Sequence, residues 1–266
     1  MNNQTLTAPA LSSRFVRNLP QNFVVGEEAF AQLLLREYGA VFVARGGATP
    51  PPSVIFRSDK EVKEFQNSIP FKTENIGGLP ITLQRPAMEE LIAAIEHVRG
   101  TGLEITPRGA DSGSRSYSET VALWESRVEP ALDHWTAVGR IDRNQSAEIR
   151  KLSAFEQVPV VLQLEGKGIY FAKDLSKSII YSVAPPGTSQ HLAMLAFDVS
   201  EFDDPATRAI LANHGWYQTV TSDLPHFTFL GVEEATLPSL GLRRVENAGR
   251  HFWVPSTEDA VNTWQI

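Results

Sequence analysis

The stretch TSQHLAMLAFDV (188–199) places His191 seven positions before Asp198 in a largely apolar run. A second stretch, SDLPHFTFLG (222–231), carries His226 ahead of another apolar run. Histidine and aspartate are zinc ligands, and three protein ligands with one open position are typical of a catalytic zinc site. A buried histidine beside an aspartate is also a common structural hydrogen-bonded pair. On these residues alone, both interpretations stay open.

The composition is that of an ordinary globular protein. The chain has 266 residues, of which 42% are hydrophobic and 21% charged. This length predicts one large domain or two modest ones. The net charge of -7 and the pI of about 5.4 give no general electrostatic reason to bind nucleic acid. No apolar run reaches the length of about 18 residues that a membrane-spanning helix needs, so no transmembrane segment is expected.

The chain contains no cysteine. This excludes a disulfide scaffold, a thiolate metal site and a cysteine nucleophile. Any zinc ion must therefore be held by histidine and carboxylate, a ligand set that suits a catalytic site better than a structural one. The lack of cysteine is also compatible with an oxidising envelope compartment.

Hydrophobic periodicity predicts helices interspersed with short strands, which favours the α+β class. The helices are predicted at 27–38, 59–66, 86–99, 117–135, 144–156 and 205–214. Strands are predicted at 40–44, 53–56, 69–72, 103–106, 160–165 and 179–183, with a further strand at the end of 77–84.

The pattern divides the chain into three parts. Residues 1–20 are polar and lack an apolar signal core, which predicts a flexible N-terminal arm. Residues 21–78 are expected to form an N-terminal α/β extension without a catalytic constellation. Residues 79–266 carry the candidate chemistry and form the main predicted domain.

Four residues around the first stretch follow a known signature. Ser189-x-His191, followed by Ala196-x-Asp198, resembles the SxHxxGxAxD motif of the D-alanyl-D-alanine carboxypeptidases. These VanY-like zinc peptidases are grouped with lysostaphin-like enzymes and the hedgehog signalling domain.

Two other segments resemble the same family in the same order. SGSRSY (112–117) is similar to its SGYRSY segment, and DLPHF (223–227) is similar to its ExWHF segment. The resemblance spans about 80–231, over half the chain, and the combination is more specific than any one segment.

The resemblance implies a role for each matching residue. His191, Asp198 and His226 take the three zinc-ligand positions. Asp223 takes the position of the general base, which is glutamate in the family. Arg115 takes the position of an arginine that binds substrate and steadies the developing oxyanion, which suits the bidentate guanidinium group.

Ser189 takes the position of the signature serine beside the substrate, and Ser116 and Tyr117 are expected to shape the pocket. The implied fold is a central antiparallel sheet with flanking helices and a zinc cleft. The implied substrate is a peptidoglycan stem peptide, cut by a D,D-carboxypeptidase in the bacterial cell envelope, either periplasmic or secreted. The sequence indicates no oligomeric state.

Two positions depart from the family pattern. Met194 stands where the signature has glycine, a residue that usually permits a special dihedral or a close backbone approach. Asp223 is one methylene shorter than glutamate, and a placement error of about 1 Å can lower a rate about 100-fold. Metal binding and catalysis are therefore separable. A noncatalytic zinc-stabilised cell-wall or peptide-binding domain and a peptidoglycan endopeptidase remain alternatives.

Overall fold

The computed structural model describes residues 13–26 and 29–256. Its α-helices are α1 (Ser13–Asn18), α2 (Ala29–Tyr38), α3 (Asp59–Asn67), α4 (Arg85–Val98), α5 (Tyr117–Ala137), α6 (Arg143–Lys151), α7 (Ala154–Glu165) and α8 (Pro205–Asn213). Its strands are β1 (Phe71–Ile76), β2 (Leu79–Gln84), β3 (Ala196–Asp198), β4 (Trp216–Gln218), β5 (His226–Phe229), β6 (Leu242–Asn247) and β7 (Arg250–Pro255). The predicted α+β class is confirmed.

The described strands form three small antiparallel sheets. The pairs β1–β2 and β6–β7 are hairpins, and the third sheet has the order β3-β5-β4. In the third sheet Asp198 lies directly opposite His226, and Phe197 lies opposite Phe227. This sheet therefore brings together two residues that are far apart in the sequence.

Side-chain caps explain where several helices begin. Ser116 before α5 and Ser153 before α7 each form a capping box with the glutamate three positions later. Each such cap typically contributes about 0.5–2 kcal/mol. The predicted helices at 59–66, 86–99, 117–135 and 205–214 are confirmed. No helix in the described ranges combines the length and the apolarity needed to cross a bilayer.

The strand predicted at 160–165 is wrong, because these residues belong to α7. The apolar stretch VVLQLE suggested a strand. However, Val158, Val161 and Leu164 are buried at a spacing of three residues, which is the period of one helix face. The capping box at Ser153 starts the helix before Pro159, which therefore lies inside the helix and gives up one backbone hydrogen bond.

Other short apolar runs are not strands either. Residues 40–44 lie largely in a 3₁₀ helix (Gly39–Val43), and 179–183 contain another (Ile179–Tyr181). The predicted strands at 53–56 and 103–106 form no strand in the structure. The runs at 40–44 and 53–56 are largely buried, and a short buried run has the same hydrophobic signature in a strand, a helix or a packed loop.

The predicted arm at 1–20 needs correction where it is described. Its first twelve residues lie outside the described part, but 13–18 form α1, and Phe15 is completely buried. The Asn18 side chain donates to the Ser239 carbonyl at 3.1 Å, which ties α1 to the C-terminal part.

The division between 21–78 and 79–266 stays a prediction. Its boundary falls in the turn of the β1–β2 hairpin. Buried side chains from both parts, such as Leu34 and Trp216, belong to one hydrophobic core.

Met194 ends the 3₁₀ helix that carries His191 (Gln190–Ala193). Its backbone has φ 56° and ψ 31°, which is the left-handed conformation. This conformation costs a residue with a Cβ about 1–2 kcal/mol. The motif that this stretch resembles has glycine here, a residue that adopts this conformation without strain. The Met194 side chain is buried, so its packing offsets the strain.

We expect Met194→Gly to be more stable than Met194→Ala by about 1 kcal/mol, because both lose the side chain but only alanine keeps the left-handed strain. Both variants should be less stable than the wild type. Urea unfolding measures the difference. Ala193→Gly, one position earlier, is the control and should only destabilise. An alanine variant at 194 as stable as the glycine variant would contradict the interpretation.

Candidate metal centre

Three elements place the predicted metal ligands. His191 lies in the 3₁₀ helix before β3, Asp198 ends β3, and His226 begins β5. One potential ligand atom from each of the three lies within 4.8 Å of the others. The described residues therefore contain a His-Asp-His group that can hold a metal ion.

The loop before α5 joins these elements through its backbone. The Asp198 N–H donates to the Ser112 carbonyl at 3.1 Å, and the Arg115 N–H donates to the His191 carbonyl at 3.2 Å. Gly113 lies against β2, where an added Cβ would come within 2.9 Å of the Thr82 carbonyl oxygen. Glycine at 113 thus lets the loop pass close enough to reach the His191 side chain.

His191 is a neutral ring with one unused nitrogen. Its Nδ1 lies 2.6 Å from the Gly113 carbonyl oxygen, which can only accept, so Nδ1 carries the proton. Burial lowers the pKa of His191, which further favours the neutral form. Nε2 therefore presents a lone pair. This atom is buried and has no hydrogen-bond partner, although it lies 3.3 Å from Asp198 Oδ1.

Gln190 fixes the ring of His226. The Gln190 amide nitrogen donates to the Tyr38 carbonyl at 2.8 Å. Its amide oxygen therefore faces His226 Nε2 at 2.9 Å, and it also accepts from the Thr228 hydroxyl. Because an amide oxygen can only accept, His226 Nε2 carries a proton. In the neutral ring this leaves the lone pair on Nδ1.

Three acceptors consequently meet around one point. His191 Nε2 and His226 Nδ1 lie 3.3 and 3.2 Å from the same oxygen, Asp198 Oδ1. Burial alone would raise the pKa of Asp198, but charge and hydrogen bonds from the two histidine rings, when these are protonated, outweigh it and hold this pKa well below the usual range. Ligand atoms about 2.0–2.3 Å from a tetrahedral ion lie about 3.3–3.8 Å apart. The donor set and the two His–Asp spacings fit zinc.

Arg115 lies beside this group. Its Nη2 is 3.2 Å from Asp198 Oδ2, the carboxylate oxygen that does not face the histidines, and 3.4 Å from Asp111 Oδ2. Its Nε is buried without a hydrogen-bond partner. The guanidinium thus orients the Asp198 carboxylate beside the candidate metal position.

A cavity of ≈ 250 Å³ is lined by two of the candidate ligands, His191 and His226. Arg115, Ser189 and Asp223 also line it, so the structure brings these predicted residues together. Asp223 is exposed, whereas Ser189 is buried.

Ser116 and Tyr117 are not among the residues that line this cavity. Ser116 caps α5, accepting from the Glu119 N–H at 3.2 Å. Tyr117 packs against the small apolar cluster of Phe56, Val62 and Leu192. The prediction that both shape the pocket is therefore replaced by roles in starting and packing α5.

Sequence reasoning missed Gln190 and Tyr38. Gln190 is adjacent to His191, but its side chain contacts the other histidine, and nothing in the local sequence signals this. Tyr38 lies at the end of α2, in the segment expected to lack catalytic residues. Its carbonyl orients Gln190, and its ring lines the cavity.

Comparisons with known proteins give limited information. No family model matches the chain, and no curated protein sequence matches it. Among solved structures, the chain is similar to the crystal structure of a mutant of the vancomycin resistance D,D-pentapeptidase VanY, from a VanB-type resistance cassette, in complex with Zn(II). The match has 15% identity, covers 63% of this chain and 83% of that chain, and has a TM-score of 0.36. The candidate centre therefore rests on the distances and hydrogen bonds of this chain.

We expect Gln190→Met to weaken Zn²⁺ binding about 10- to 100-fold, because His226 loses the acceptor that selects its ring form. Competition with a chromophoric chelator measures this affinity. Gln157→Met is the matched control, since Gln157 is a buried glutamine bonded to Trp124 at 2.9 Å in another part of the fold. The control should lose stability but keep its Zn²⁺ affinity. Equal losses of affinity in both variants would show that Gln190 acts only through folding.

Proposed function

We propose that this protein is a zinc-dependent peptidase that hydrolyses peptidoglycan stem peptides as a D-alanyl-D-alanine carboxypeptidase. The observation that carries the proposal is the convergence of two histidine lone pairs and one ionised carboxylate beside a cavity. The substrate class comes from the sequence resemblance at 112–117, 188–199 and 223–227. Such an enzyme would act in the bacterial cell envelope, periplasmic or secreted.

Different side chains around the cavity can perform the separate steps of peptide hydrolysis. A bound zinc ion supplies Lewis acidity and a water nucleophile at neutral pH. The exposed Asp223 carboxylate can accept the proton that the attacking water loses and pass it to the leaving amine. The Arg115 guanidinium can donate to the oxyanion that develops on the substrate carbonyl. Ser189, on the cavity wall, is positioned to contact the peptide.

The reach of the Asp223 side chain distinguishes the peptidase from a second candidate function. The three candidate ligands are held by the sheet and by buried hydrogen bonds, but Asp223 lies exposed in the turn before β5. If its shorter side chain falls short of the reacting water, the same centre serves a noncatalytic zinc-stabilised peptide-binding domain. The product masses of a peptide digest also separate a carboxypeptidase from an endopeptidase.

We expect the purified protein to hold one zinc ion per chain and His226→Ala to lose it, because two ligands rarely retain zinc. Elemental analysis measures the metal. His251→Ala, an exposed histidine on β7, should keep the full content. Circular dichroism distinguishes lost metal from lost folding. A folded His226→Ala protein with unchanged zinc would contradict the assignment.

We expect the zinc-loaded protein to release D-alanine from muropeptides and Asp223→Asn to lower the rate at least about 100-fold, since asparagine cannot accept the proton. Mass spectrometry follows the free D-alanine. Asp223→Glu should retain activity, because glutamate has the same chemistry and a longer reach. If the folded, zinc-loaded wild type cleaves no stem peptide, the binding-domain alternative is favoured instead.

A further inference from the structure

The cavity contains a second arginine, Arg127, whose charge the protein leaves available. We propose that Arg127 binds a carboxylate of the bound peptide, with its C-terminal carboxylate as the main ligand. This inference rests on the proposed role of the cavity as a peptide site. In this arrangement Arg127 recognises the charge of the substrate, and Arg115 stabilises the oxyanion beside the candidate metal.

Two serines hold Arg127 in place. Its Nε donates to the Ser182 hydroxyl at 3.1 Å, and its Nη1 donates to the Ser126 hydroxyl at 2.9 Å. The bond to Ser182 connects α5 to the wall that follows the 3₁₀ helix at Ile179–Tyr181, whereas Ser126 lies on α5 itself. Within the described ranges, Nη2 donates to no protein acceptor. The guanidinium is thus oriented, yet one edge remains available to a ligand.

The charges of the two cavity arginines are balanced differently. Arg115 contacts the carboxylates of Asp198 and Asp111. Arg127 has no carboxylate within 4 Å among the residues that the structure describes, and its hydrogen bonds to those residues go to neutral hydroxyls. An arginine without an acidic partner at a cavity wall favours an anionic ligand, because a guanidinium–carboxylate pair forms strong charge-assisted hydrogen bonds. Because the whole chain has a net charge of -7, it does not attract anions in general, and the attraction is confined to the cavity.

The surroundings of Arg127 indicate the size of the group next to the carboxylate. Leu123 from α5 and Ile180, Val183 and Ala184 from the facing wall line the same cavity. These side chains are apolar, and the whole cavity measures only ≈ 250 Å³. A small apolar residue ending in a carboxylate matches this combination, since its side chain contacts the apolar wall while its charge reaches Arg127.

Equilibrium binding to zinc-loaded Asp223→Asn protein tests the proposal without turnover. Three peptides serve as probes in isothermal titration calorimetry: N-acetyl-Lys-D-Ala-D-Ala with a free C-terminus, its C-terminal amide, and the amide of the same peptide with D-Glu in the last position. The free acid should bind about 10- to 100-fold more tightly than the plain amide, the range expected for a charged hydrogen bond. Tighter binding of the D-Glu amide would identify a side-chain carboxylate as a second source of the charge.

Arg127→Gln, made in the same background, should remove the preference for the free acid and leave the affinity for the plain amide unchanged. Arg127→Lys should restore part of the preference, because lysine keeps the charge but loses the fork geometry. Arg143→Gln, at an exposed arginine that starts α6, is the control and should keep the full preference for the free acid.

Three results would overturn the proposal: equal binding of acid and amide by the parent protein, an equal loss for both ligands in Arg127→Gln, or no binding of any probe. Failure of the proposed function has a different signature. A protein that prefers the free acid through Arg127, yet cleaves no peptide as wild type, retains the carboxylate site but is no peptidase. Conversely, a wild type that cleaves the peptide, with affinities that Arg127→Gln does not change, is a peptidase without the proposed carboxylate site.

Discussion

The arrangement of the site depends on one electrostatic constraint. His191 Nε2, His226 Nδ1 and Asp198 Oδ1 are acceptors that lie 3.2–3.3 Å apart along the two His–Asp contacts in a mostly buried position. Without a cation between them, the lone pairs and the carboxylate repel one another, and little water is present to screen the repulsion. A metal ion converts this repulsion into coordination, so the metal and the surrounding fold are expected to stabilise each other.

Two separate backbone carbonyls decide which nitrogen each histidine offers. The Gly113 carbonyl accepts a hydrogen bond from Nδ1–H of His191. The Tyr38 carbonyl fixes the orientation of the Gln190 amide, whose oxygen then accepts a hydrogen bond from Nε2–H of His226. The two histidines therefore use different nitrogens. Tyr38 belongs to α2, so the segment 21–78 contributes to the centre even though none of its residues is a candidate ligand.

The cavity combines a rigid side with a more accessible one. The candidate ligands lie on a three-stranded sheet and a 3₁₀ helix that are buried in the core. Asp223 and Arg127 lie on the more exposed rim, where a peptide can reach them. A rigid, buried centre favours tight metal binding. An exposed rim lets the proton acceptor and the charged anchor adjust to the substrate, and mutations on the rim can change activity without loss of the metal.

The sequence by itself determined the α+β class, several of the helices and the residues that form the candidate centre, because helical periodicity and short motifs are local properties. Tertiary structure decided what the buried runs at 40–44 and 160–165 become, since burial masks the periodicity that separates a strand from a helix. Only the antiparallel pairing of β3 with β5 sets Asp198 opposite His226. The roles of Gln190, Tyr38 and Arg127 also depend on contacts between distant segments. Such contacts leave no local pattern, because their geometry is fixed only when the whole core packs.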